Sequence, residues 1–255
     1  MSKKKREEAV IISKREISAG IFDMWIRTDE IAGYARAGQF VSLYCKDGSR
    51  LLPRPISICE IEPEKKALRL VYRVAGAGTE EFSRMDTGEK LKIVGPLGNG
   101  FPFTSDAAFV IGGGIGIPPM LELAKQLSCT KQMILGYRDR LFLEQDFKKY
   151  GDVYVATEDG SSGTKGNVID AIRANGLEAD VIYACGPLPM LRALKQYAAE
   201  HQMKCYVSLE ERMACGIGAC LGCVCRSTQT DAHTNVKNKR ICKEGPVFEA
   251  GEVDF

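Results

Sequence analysis

Histidine is scarce in this sequence, and its scarcity argues against several catalytic mechanisms. Only two histidines are present, His201 and His233. Neither lies in a glycine-rich segment or at the end of a predicted strand, so we interpret both as surface or structural residues. A hydrolase built on a Ser–His–Asp or Cys–His arrangement is therefore not indicated.

Long apolar runs are also missing. No segment approaches the roughly 18 consecutive apolar residues of a membrane span. The basic residues 3–6 precede Glu7 and Glu8 rather than an apolar stretch, so no signal peptide is predicted. The formal net charge of +2 indicates neither nucleic-acid nor membrane binding. With 45% hydrophobic and 27% charged residues, we expect a folded cytoplasmic protein.

Cysteine, by contrast, is abundant. The ten cysteines need an explanation, because cytoplasmic thiols rarely form structural disulfides. Five are dispersed, as small buried apolar residues usually are: Cys45, Cys59, Cys129, Cys185 and Cys205. The other five lie close together near the C-terminus: Cys215, Cys220, Cys223, Cys225 and Cys242. Such a cluster indicates a metal site.

The first part of the chain, residues 1–102, has the pattern of β structure. Short alternating or β-rich runs are separated by turn residues. The predicted strands are 9–17, 21–28, 39–44, 56–61, 68–74 and 90–94. Six such strands with one helix at 80–85 predict a small antiparallel barrel.

The second part, residues 103–209, alternates apolar runs with helical patterns. The predicted strands are 107–111, 133–137, 153–157, 181–184 and 205–209. The predicted helices are 118–127, 141–149, 168–174 and 188–200. This order predicts a doubly wound parallel sheet, which binds nucleotides at the carboxyl ends of its strands.

The third part, residues 210–255, is rich in glycine and cysteine and then polar. Its apolar content is too low for a core, and a segment of about 45 residues normally needs a metal to fold. The whole chain is thus predicted to be an α+β protein with a barrel domain, a doubly wound α/β domain and a small C-terminal metal domain. No internal repeat or low-complexity linker separates them.

The spacing of the clustered cysteines favours iron over zinc. Cys215, Cys220 and Cys223 form C-x4-C-x2-C, the plant-type [2Fe–2S] pattern, and Cys242 can supply the distant fourth thiolate. Cys225 is the alternative, but its closeness to Cys223 would strain a loop in which both bound one cluster. Four thiolates also satisfy zinc, although zinc sites more often have two C-x2-C pairs. The glycines between the ligands allow tight wrapping and N–H donation to sulfur: Gly216, Gly218 and Gly222.

Three segments of the barrel region suit a flavin dinucleotide. Arg54-Pro55-Ile56-Ser57 offers a cation, a stiffening proline and a hydroxyl for a pyrophosphate and a ring edge. Val71-Tyr72-Arg73 offers a ring for packing and a second cation. Gly78-Thr79 opens a helix whose N–H groups can bind an anion, with Thr79 as its N-cap. Each pattern alone is also typical of an ordinary surface, and Glu80-Glu81 would repel a phosphate unless both side chains face solvent.

Two glycine-containing turns follow strands of the α/β region. Gly112-Gly113-Gly114-Ile115-Gly116 ends the first strand and opens a helix, as a phosphate-binding turn does. The third glycine of G-x-G-x-x-G is not in place, so this is not the dehydrogenase fingerprint. A plain strand-to-helix turn is the alternative, although it would not require four glycines. Cys185-Gly186-Pro187 follows the fourth strand and, taken alone, is more often a helix-entry turn.

The order of these segments, together with Gly95-Pro96-Leu97-Gly98, resembles the ferredoxin–NADP reductase superfamily. The cysteine motif and the ending I-C-K-E-G-P-V-F at 241–248 narrow the resemblance. Over nearly its full length the chain is similar to the electron-transfer subunits of class 1B dihydroorotate dehydrogenases. The resemblance implies FAD on the barrel (1–102), NAD on the α/β domain (103–209) and a [2Fe–2S] cluster on the C-terminal domain (210–255).

The resemblance also implies which residues bind each cofactor. Arg54–Ser57, Val71–Arg73 and Gly78-Thr79 match segments that contact FAD. The residues that match cluster ligands are Cys215, Cys220, Cys223 and Cys242, whereas Cys225 matches none. The residues alone do not exclude NADP, because Arg138 and Arg140 could meet a 2′-phosphate.

The implied reaction needs no side-chain base, and we assign no catalytic residue. Hydride transfer between nicotinamide and flavin requires stacking and orientation, and Ser57 is expected to hydrogen-bond the reactive flavin edge. In the family, dihydroorotate is oxidised on a separate flavin-containing catalytic subunit during pyrimidine biosynthesis. Electrons then reach NAD⁺ through the cluster and FAD, in a heterotetramer with two copies of each subunit. This chain itself should not bind the pyrimidine.

Two other functions are compatible with the motifs. One is a reductase subunit of another complex, which transfers NADH or NADPH electrons to ferredoxin or to a sulfur-metabolising partner. The other is a zinc module on a degenerate nucleotide-binding scaffold. A yellow-brown protein would exclude the zinc module, and the partner that copurifies would separate the two electron-transfer functions.

Overall fold

The computed structural model of the chain describes residues 4–230 and 235–255. His233 and the first of the basic residues at 3–6 lie outside this described part. Among the described residues, no helix combines the length and apolar character needed to cross a membrane.

The N-terminal part forms a closed six-stranded antiparallel barrel, which confirms the predicted architecture. Its strands are β1 (Lys5–Ser18), β2 (Ile21–Arg27), β3 (Phe40–Tyr44), β4 (Arg54–Glu62), β5 (Ala67–Arg73) and β6 (Lys90–Leu97). Their order around the barrel is β1-β2-β5-β4-β3-β6. Alternate residues such as Val41 and Leu43 fill the interior, since successive side chains of a strand point to opposite faces.

Two short helices accompany the barrel, α1 (Ile31–Tyr34) and α2 (Ala77–Arg84). Helix α2 begins three residues before the predicted start at 80. Thr79 is therefore inside the first turn, and the prediction that it is the N-cap is wrong. Its hydroxyl instead accepts hydrogen bonds from the N–H groups of Ala75 and Gly76, at 2.9 and 3.2 Å.

The central part is a parallel sheet with helices, as predicted. Its strands are β7 (Ala108–Gly113), β8 (Lys131–Tyr137), β9 (Asp152–Thr157), β10 (Thr164–Lys165), β11 (Val181–Cys185) and β12 (Lys204–Ser208). Its helices are α3 (Pro118–Gln126), α4 (Glu144–Phe147), α5 (Val168–Ala174) and α6 (Leu188–Glu200). The helix predicted at 141–149 is reduced to α4, because Leu143 adopts a left-handed conformation (φ 63°) just before it.

The C-terminal part contributes to two sheets. Strands β13 (Val224–Ser227), β14 (Asn238–Arg240) and β16 (Val253–Asp254) form a three-stranded sheet. Strand β15 (Val247–Glu249) pairs antiparallel with β12, so the seven-stranded central sheet has the order β10-β9-β8-β7-β11-β12-β15. Ile241, Cys242 and Phe248 are buried in the core of that sheet. The segment that lacks a core of its own therefore uses the core of its neighbour.

A polar joint connects the barrel to the central sheet. The buried Glu122 carboxylate accepts a hydrogen bond from the N–H of Ile61 at 2.7 Å. Lys125 Nζ donates to the carbonyl oxygen of Ile61 at 2.8 Å. Arg69 of β5 is paired with Asp23 at 2.8 Å and with Asp146 of α4 at 3.4 Å. These contacts fix the position of the barrel relative to the carboxyl ends of the parallel strands.

Candidate functional site

A cleft of about 670 Å³ lies at the carboxyl ends of the parallel strands. The two predicted glycine-containing turns meet there. The turn residues that line the cleft are Gly113, Gly114, Gly116, Gly186 and Pro187. Gly112 and Cys185 lie just behind them as directly paired residues of β7 and β11. Separate sequence motifs are therefore combined into one backbone-lined site, as expected for a nucleotide.

The glycines are required because the two turns pack closely against each other. A Cβ atom on Gly116 would overlap the backbone of Cys185 and lie 2.6 Å from the Cα of Gly186. A Cβ atom on Gly113 would lie 2.6 Å from the Met190 sulfur. Glycine at these positions therefore allows the two turns and the start of α6 to pack together at the floor of the cleft.

Charged side chains flank this backbone-lined floor. Arg138 and Glu158 border the cleft beside β8 and β9, whereas Arg140 is not among its lining residues. Arg73 of the barrel and Glu210 after β12 also line it. Burial raises the pKa of Glu210, although the Arg73 guanidinium opposes that shift. Glu158 and Glu210 were not predicted from the sequence, although their positions just beyond parallel strands were a usable signal.

Arg54 and the start of α2 form a cationic corner on the barrel. The Arg54 side chain occupies the space in which a Cβ atom of Gly78 would lie, so only glycine is compatible with this approach. A guanidinium next to free helical N–H groups is suited to a pyrophosphate. The acidic residues of α2 have cationic partners, since Glu81 is 2.7 Å from Arg50 and Glu80 pairs with Arg84. The anticipated repulsion of a phosphate is thereby reduced.

The residues of the Val71–Arg73 segment point in different directions. Val71 belongs to the apolar cluster under the nucleotide cleft, and Arg73 reaches the cleft itself. Tyr72 is 2% exposed inside the barrel, with its ring stacked on Phe22 at 6.0 Å. The prediction that the Tyr72 ring packs on a flavin therefore needs correction. Only its backbone remains available for that contact.

Strand β4, which carries the predicted flavin segment Arg54–Ser57, lies on the same outer face of the barrel as the loop with Cys215, Cys220 and Cys223. We call this loop the cysteine loop. Across the β3–β4 ladder, Ser57 is paired with Phe40 and Pro55 with Ser42. Directly paired residues project from the same face. A Cβ atom on Gly216 would lie 2.8 Å from Ser42 Oγ, so the cysteine loop packs on this face too. Strand β4 is thus the direct neighbour, about 4.8 Å away, of β3, the strand that lies under the loop.

The four predicted cluster ligands lie near one another, since Cys215 interacts with Cys220, and Cys242 interacts with both Cys223 and Cys215. Cys220 is exposed and Cys215 is half-buried, whereas Cys223 and Cys242 are buried. The N–H of Cys242 donates to Cys223 Sγ at 3.4 Å. Within residues 4–230 and 235–255, no group of three or more cysteine, histidine or acidic side chains is arranged to hold a metal ion. The donor set itself, four thiols with glycines between them, fits a [2Fe–2S] cluster.

Cys215 and Cys242 differ in their readiness to ionise. Burial disfavours the Cys215 thiolate, but hydrogen bonds from the N–H groups of the following loop and from the Cys220 thiol lower its pKa to about 6. One of these donors is Ala219, at 3.3 Å from the sulfur. Burial and the neighbouring Cys223 raise the pKa of Cys242 to about 12. The exposed side of the loop therefore already stabilises a thiolate.

Cys225 has a different environment from the other clustered cysteines. It lies within β13, and its thiol donates to the carbonyl oxygen of Lys239 at 3.5 Å. Burial raises the pKa of this thiol. A neutral thiol that is bound to a neighbouring strand is not arranged as a ligand.

Comparison with known proteins identifies the C-terminal segment and then the whole chain. Residues 210–254 match the family described as the iron-sulfur cluster binding domain of dihydroorotate dehydrogenase B. The electron transfer subunit of dihydroorotate dehydrogenase B (NAD(+)) from Bacillus mycoides is 41% identical over 97% of this chain and 98% of its own length. The subunit of the same name from Geobacillus is 41% identical over 98% of both chains.

Solved structures share the fold of this chain. The NADH-dependent reduced ferredoxin-NADP oxidoreductase structure, described in relation to flavin-based electron bifurcation, has a TM-score of 0.87 and 29% identity. It covers 96% of this chain, which covers 89% of that one. The cytochrome P450 reductase of Amycolatopsis has the same fold over 80% of this chain and 68% of its own, at 20% identity and a TM-score of 0.67. The chain belongs to the family of dihydroorotate dehydrogenase B electron transfer subunits.

Proposed function

We propose that this chain carries electrons from dihydroorotate oxidation on a partner catalytic subunit to NAD⁺, while holding a [2Fe–2S] cluster and FAD. The observation that carries this proposal is the adjacency of three sites. Arg73 extends from the barrel into the nucleotide cleft, and Ser42, one strand from β4, abuts the cysteine loop. When bound, the flavin and nicotinamide supply hydride chemistry and the cluster supplies one-electron chemistry.

FAD is assigned to the outer face of the barrel and the cationic corner. Arg54 and Gly78-Thr79 would hold the pyrophosphate, since they combine a guanidinium with helical N–H groups. Pro55 and Ser57 would border the flavin ring with their side chains. Ile56 packs on the barrel core, so it would contribute backbone, as would Tyr72. Val71-Tyr72-Arg73 then forms the side of the site that faces the cleft.

NAD is assigned to the cleft at the carboxyl ends of the sheet. Its backbone floor is formed by Gly112, Gly113, Gly114, Gly116 and the turn Cys185-Gly186-Pro187. These residues orient the dinucleotide and exclude water, and no side chain has to accept a proton. The domain limits that accompany this assignment are 1–102 for FAD, 103–209 for NAD and 210–255 for the cluster.

The charges at one end of the cleft favour NAD over NADP. Glu158 lines the cleft together with Arg138. A carboxylate can accept a hydrogen bond from the ribose 2′-hydroxyl of NAD and repels a 2′-phosphate. Arg140, one of the two arginines that left NADP open, is outside the cleft. Glu158 therefore offsets the attraction of Arg138 for the 2′-phosphate of NADP.

The cluster is assigned to Cys215, Cys220, Cys223 and Cys242, with Cys225 as a structural thiol. Cys220 and its apolar neighbours Ile217 and Leu221 are exposed on this segment and are accessible to another protein. We assign this surface to the catalytic subunit, in an assembly with two copies of each chain. Sedimentation of the purified complex would measure that stoichiometry.

The decisive experiment is reconstitution. The isolated chain should oxidise NADH with an artificial one-electron acceptor but should not oxidise dihydroorotate. Addition of the flavin-containing catalytic subunit should create dihydroorotate:NAD⁺ activity that neither chain has alone. Turnover of dihydroorotate by the single purified chain would contradict the proposal.

A second candidate is favoured by the 29% identity and 0.87 TM-score to the ferredoxin-NADP oxidoreductase structure. In that case the chain would exchange electrons between a nicotinamide nucleotide and ferredoxin. Reduced ferredoxin offered with NAD⁺ or NADP⁺, in parallel with the dihydroorotate reconstitution, distinguishes the two. Activity with ferredoxin alone would favour this second function.

A further inference from the structure

Ser42 is a buried polar residue at the boundary between the flavin strand and the cysteine loop. It lies in the middle of β3 and is 1% exposed. Val41 and Leu43 on either side point into the barrel core, so Ser42 points outward. Its cross-strand neighbours are Pro55 on β4 and Val94 on β6, and neither has a polar side chain.

The Ser42 hydroxyl has no hydrogen-bond partner among the described residues. Buried hydroxyl groups are normally paired, because an unpaired one costs about 1–3 kcal/mol relative to its solvated state. The hydroxyl is not turned toward solvent either, since its oxygen is fully covered. An unpaired donor at this depth points to an acceptor that comes within reach only with a bound cofactor.

The cysteine loop is the structure that covers this hydroxyl. Ser42 Oγ is 2.8 Å from the position that a Cβ atom on Gly216 would occupy. Gly216 has a positive φ of 67° and directly follows Cys215. Glycine at this position therefore allows the residue next to Cys215 to pack directly on the hydroxyl.

The sulfur atoms in this region are electron-rich acceptors. Cys215 Sγ already accepts a hydrogen bond from the N–H of Ala219 at 3.3 Å. The Ser42 hydroxyl lies on the barrel side of the loop and is the buried side-chain donor there that has no partner among the described residues.

From this geometry we propose that Ser42 donates a hydrogen bond to the cluster sulfur at Cys215, either the thiolate or the sulfide next to it. Ser42 is thus a positioning residue that tunes the cluster from the flavin side. This inference rests on the assignment of the cluster to Cys215 in the proposed function. Hydrogen bonds to cluster sulfurs stabilise the more negative, reduced state and so raise the reduction potential.

The test is a potentiometric titration of the reduced-state EPR signal in the purified full-length chain. Ser42→Ala should lower the ratio of reduced to oxidised cluster at a fixed potential by about tenfold, or about 59 mV for a one-electron couple. Ser42→Thr keeps the hydroxyl and should restore the wild-type potential. Thr28→Val removes another buried barrel hydroxyl, one that is bonded to Lys66 and Ala32, and should leave the potential unchanged.

Each outcome decides the proposal. Loss of the cluster in Ser42→Ala with retention in Ser42→Thr also supports it, because the hydroxyl is then required to hold the cluster. A fully loaded Ser42→Ala protein with an unchanged potential overturns it. Equal losses or equal shifts in both variants also overturn it, since packing rather than the hydroxyl would be responsible. Wild-type protein without iron and sulfide would instead refute the cluster assignment itself, independently of Ser42.

Discussion

The nucleotide cleft and the cysteine loop are both cofactor sites, but they reach their form in different ways. The cleft is built from turns between hydrogen-bonded parallel strands, in which Gly112 is paired with Cys185. The cysteine loop has an irregular backbone, with left-handed residues such as Gly218 (φ 89°) and Leu221 (φ 56°). The cleft therefore rests on the strand ladder itself, whereas we expect the irregular loop to depend on a bound metal for its shape.

Loss of a cluster ligand should produce the largest difference between the two sites. Replacement of Cys215, Cys220, Cys223 or Cys242 by alanine should abolish the cluster and the dihydroorotate:NAD⁺ activity of the complex. The NADH-dependent bleaching of the flavin should persist, because the cleft does not depend on the loop. Iron and sulfide content, EPR and anaerobic stopped-flow absorbance measure these effects.

Cys225→Ala is the matched control for these variants. Its thiol is bonded to the Lys239 carbonyl, so the variant should retain iron, the EPR signal and coupled activity. Loss of the cluster in Cys225→Ala, together with an unchanged signal in Cys242→Ala, would reverse the ligand assignment.

Removal of the Arg54 guanidinium tests the proposed role of this side chain in FAD binding on the barrel. Arg54→Ala removes a charge-assisted hydrogen bond worth about 1.5–3 kcal/mol, which corresponds to roughly 10- to 150-fold weaker FAD binding. The measurement is FAD retention on dilution and gel filtration. Arg15→Ala, an exposed arginine at 72% side-chain exposure on β1, should retain FAD. Full retention by Arg54→Ala would refute its role.

Much of this organisation was predictable from local sequence patterns. Period-two runs predicted the six barrel strands, and strand–helix alternation predicted the parallel sheet. Because carboxyl ends of parallel strands share one edge, the turns at Gly112–Gly116 and Cys185–Pro187 could be assigned to one site. These features depend on residues that are close together in sequence.

What could not be predicted depends on side-chain direction and on long-range packing. Tyr72 was interpreted as a ring-packing residue, but strand alternation turns it into the barrel, where Phe22 and Phe82 surround it. The helix at 141–149 was shortened because Leu143 takes a left-handed conformation. Ser42 had no sequence signal at all, since its relation to Gly216 arises only when the cysteine loop packs on the barrel.

The cleft can be probed more finely through its nucleotide preference. Glu158→Gln removes the carboxylate that opposes a 2′-phosphate and should shift the NADH-to-NADPH ratio of kcat/KM toward NADPH. An exposed charge interaction of about 1 kcal/mol corresponds to roughly a fivefold change. Asp159→Asn is the control, because its carboxylate bonds to Ser161 and is not among the cleft-lining residues. An unchanged ratio in Glu158→Gln would exclude Glu158 as a determinant.

The smallest expected effect concerns the polar joint between the barrel and the central sheet, which is formed by Glu122, Lys125 and Arg69. Glu122 is 2% exposed, and burial raises the pKa of its carboxyl above the ordinary value of 4.5, although the Ile61 N–H and Lys125 oppose the shift. The folded state therefore binds this proton more tightly than the unfolded state. The resulting stabilisation is present below pH 4.5 and is lost as the pH rises through the raised pKa of the folded protein.

Glu122→Gln resembles the protonated carboxyl and can still accept the hydrogen bond from Ile61. Relative to wild type, its free energy of unfolding should therefore increase as the pH rises from 5 to 8, by an amount on the order of one hydrogen bond, about 1 kcal/mol. Urea unfolding followed by the fluorescence of the single tryptophan, Trp25 on β2, measures this change. Glu64→Gln, at an exposed turn, controls for the loss of one negative charge. A difference between Glu122→Gln and wild type that stays constant or falls over this range would contradict the pKa direction. Iron content should be the same in both proteins at each pH, because the joint supports the preformed cleft and not the cysteine loop.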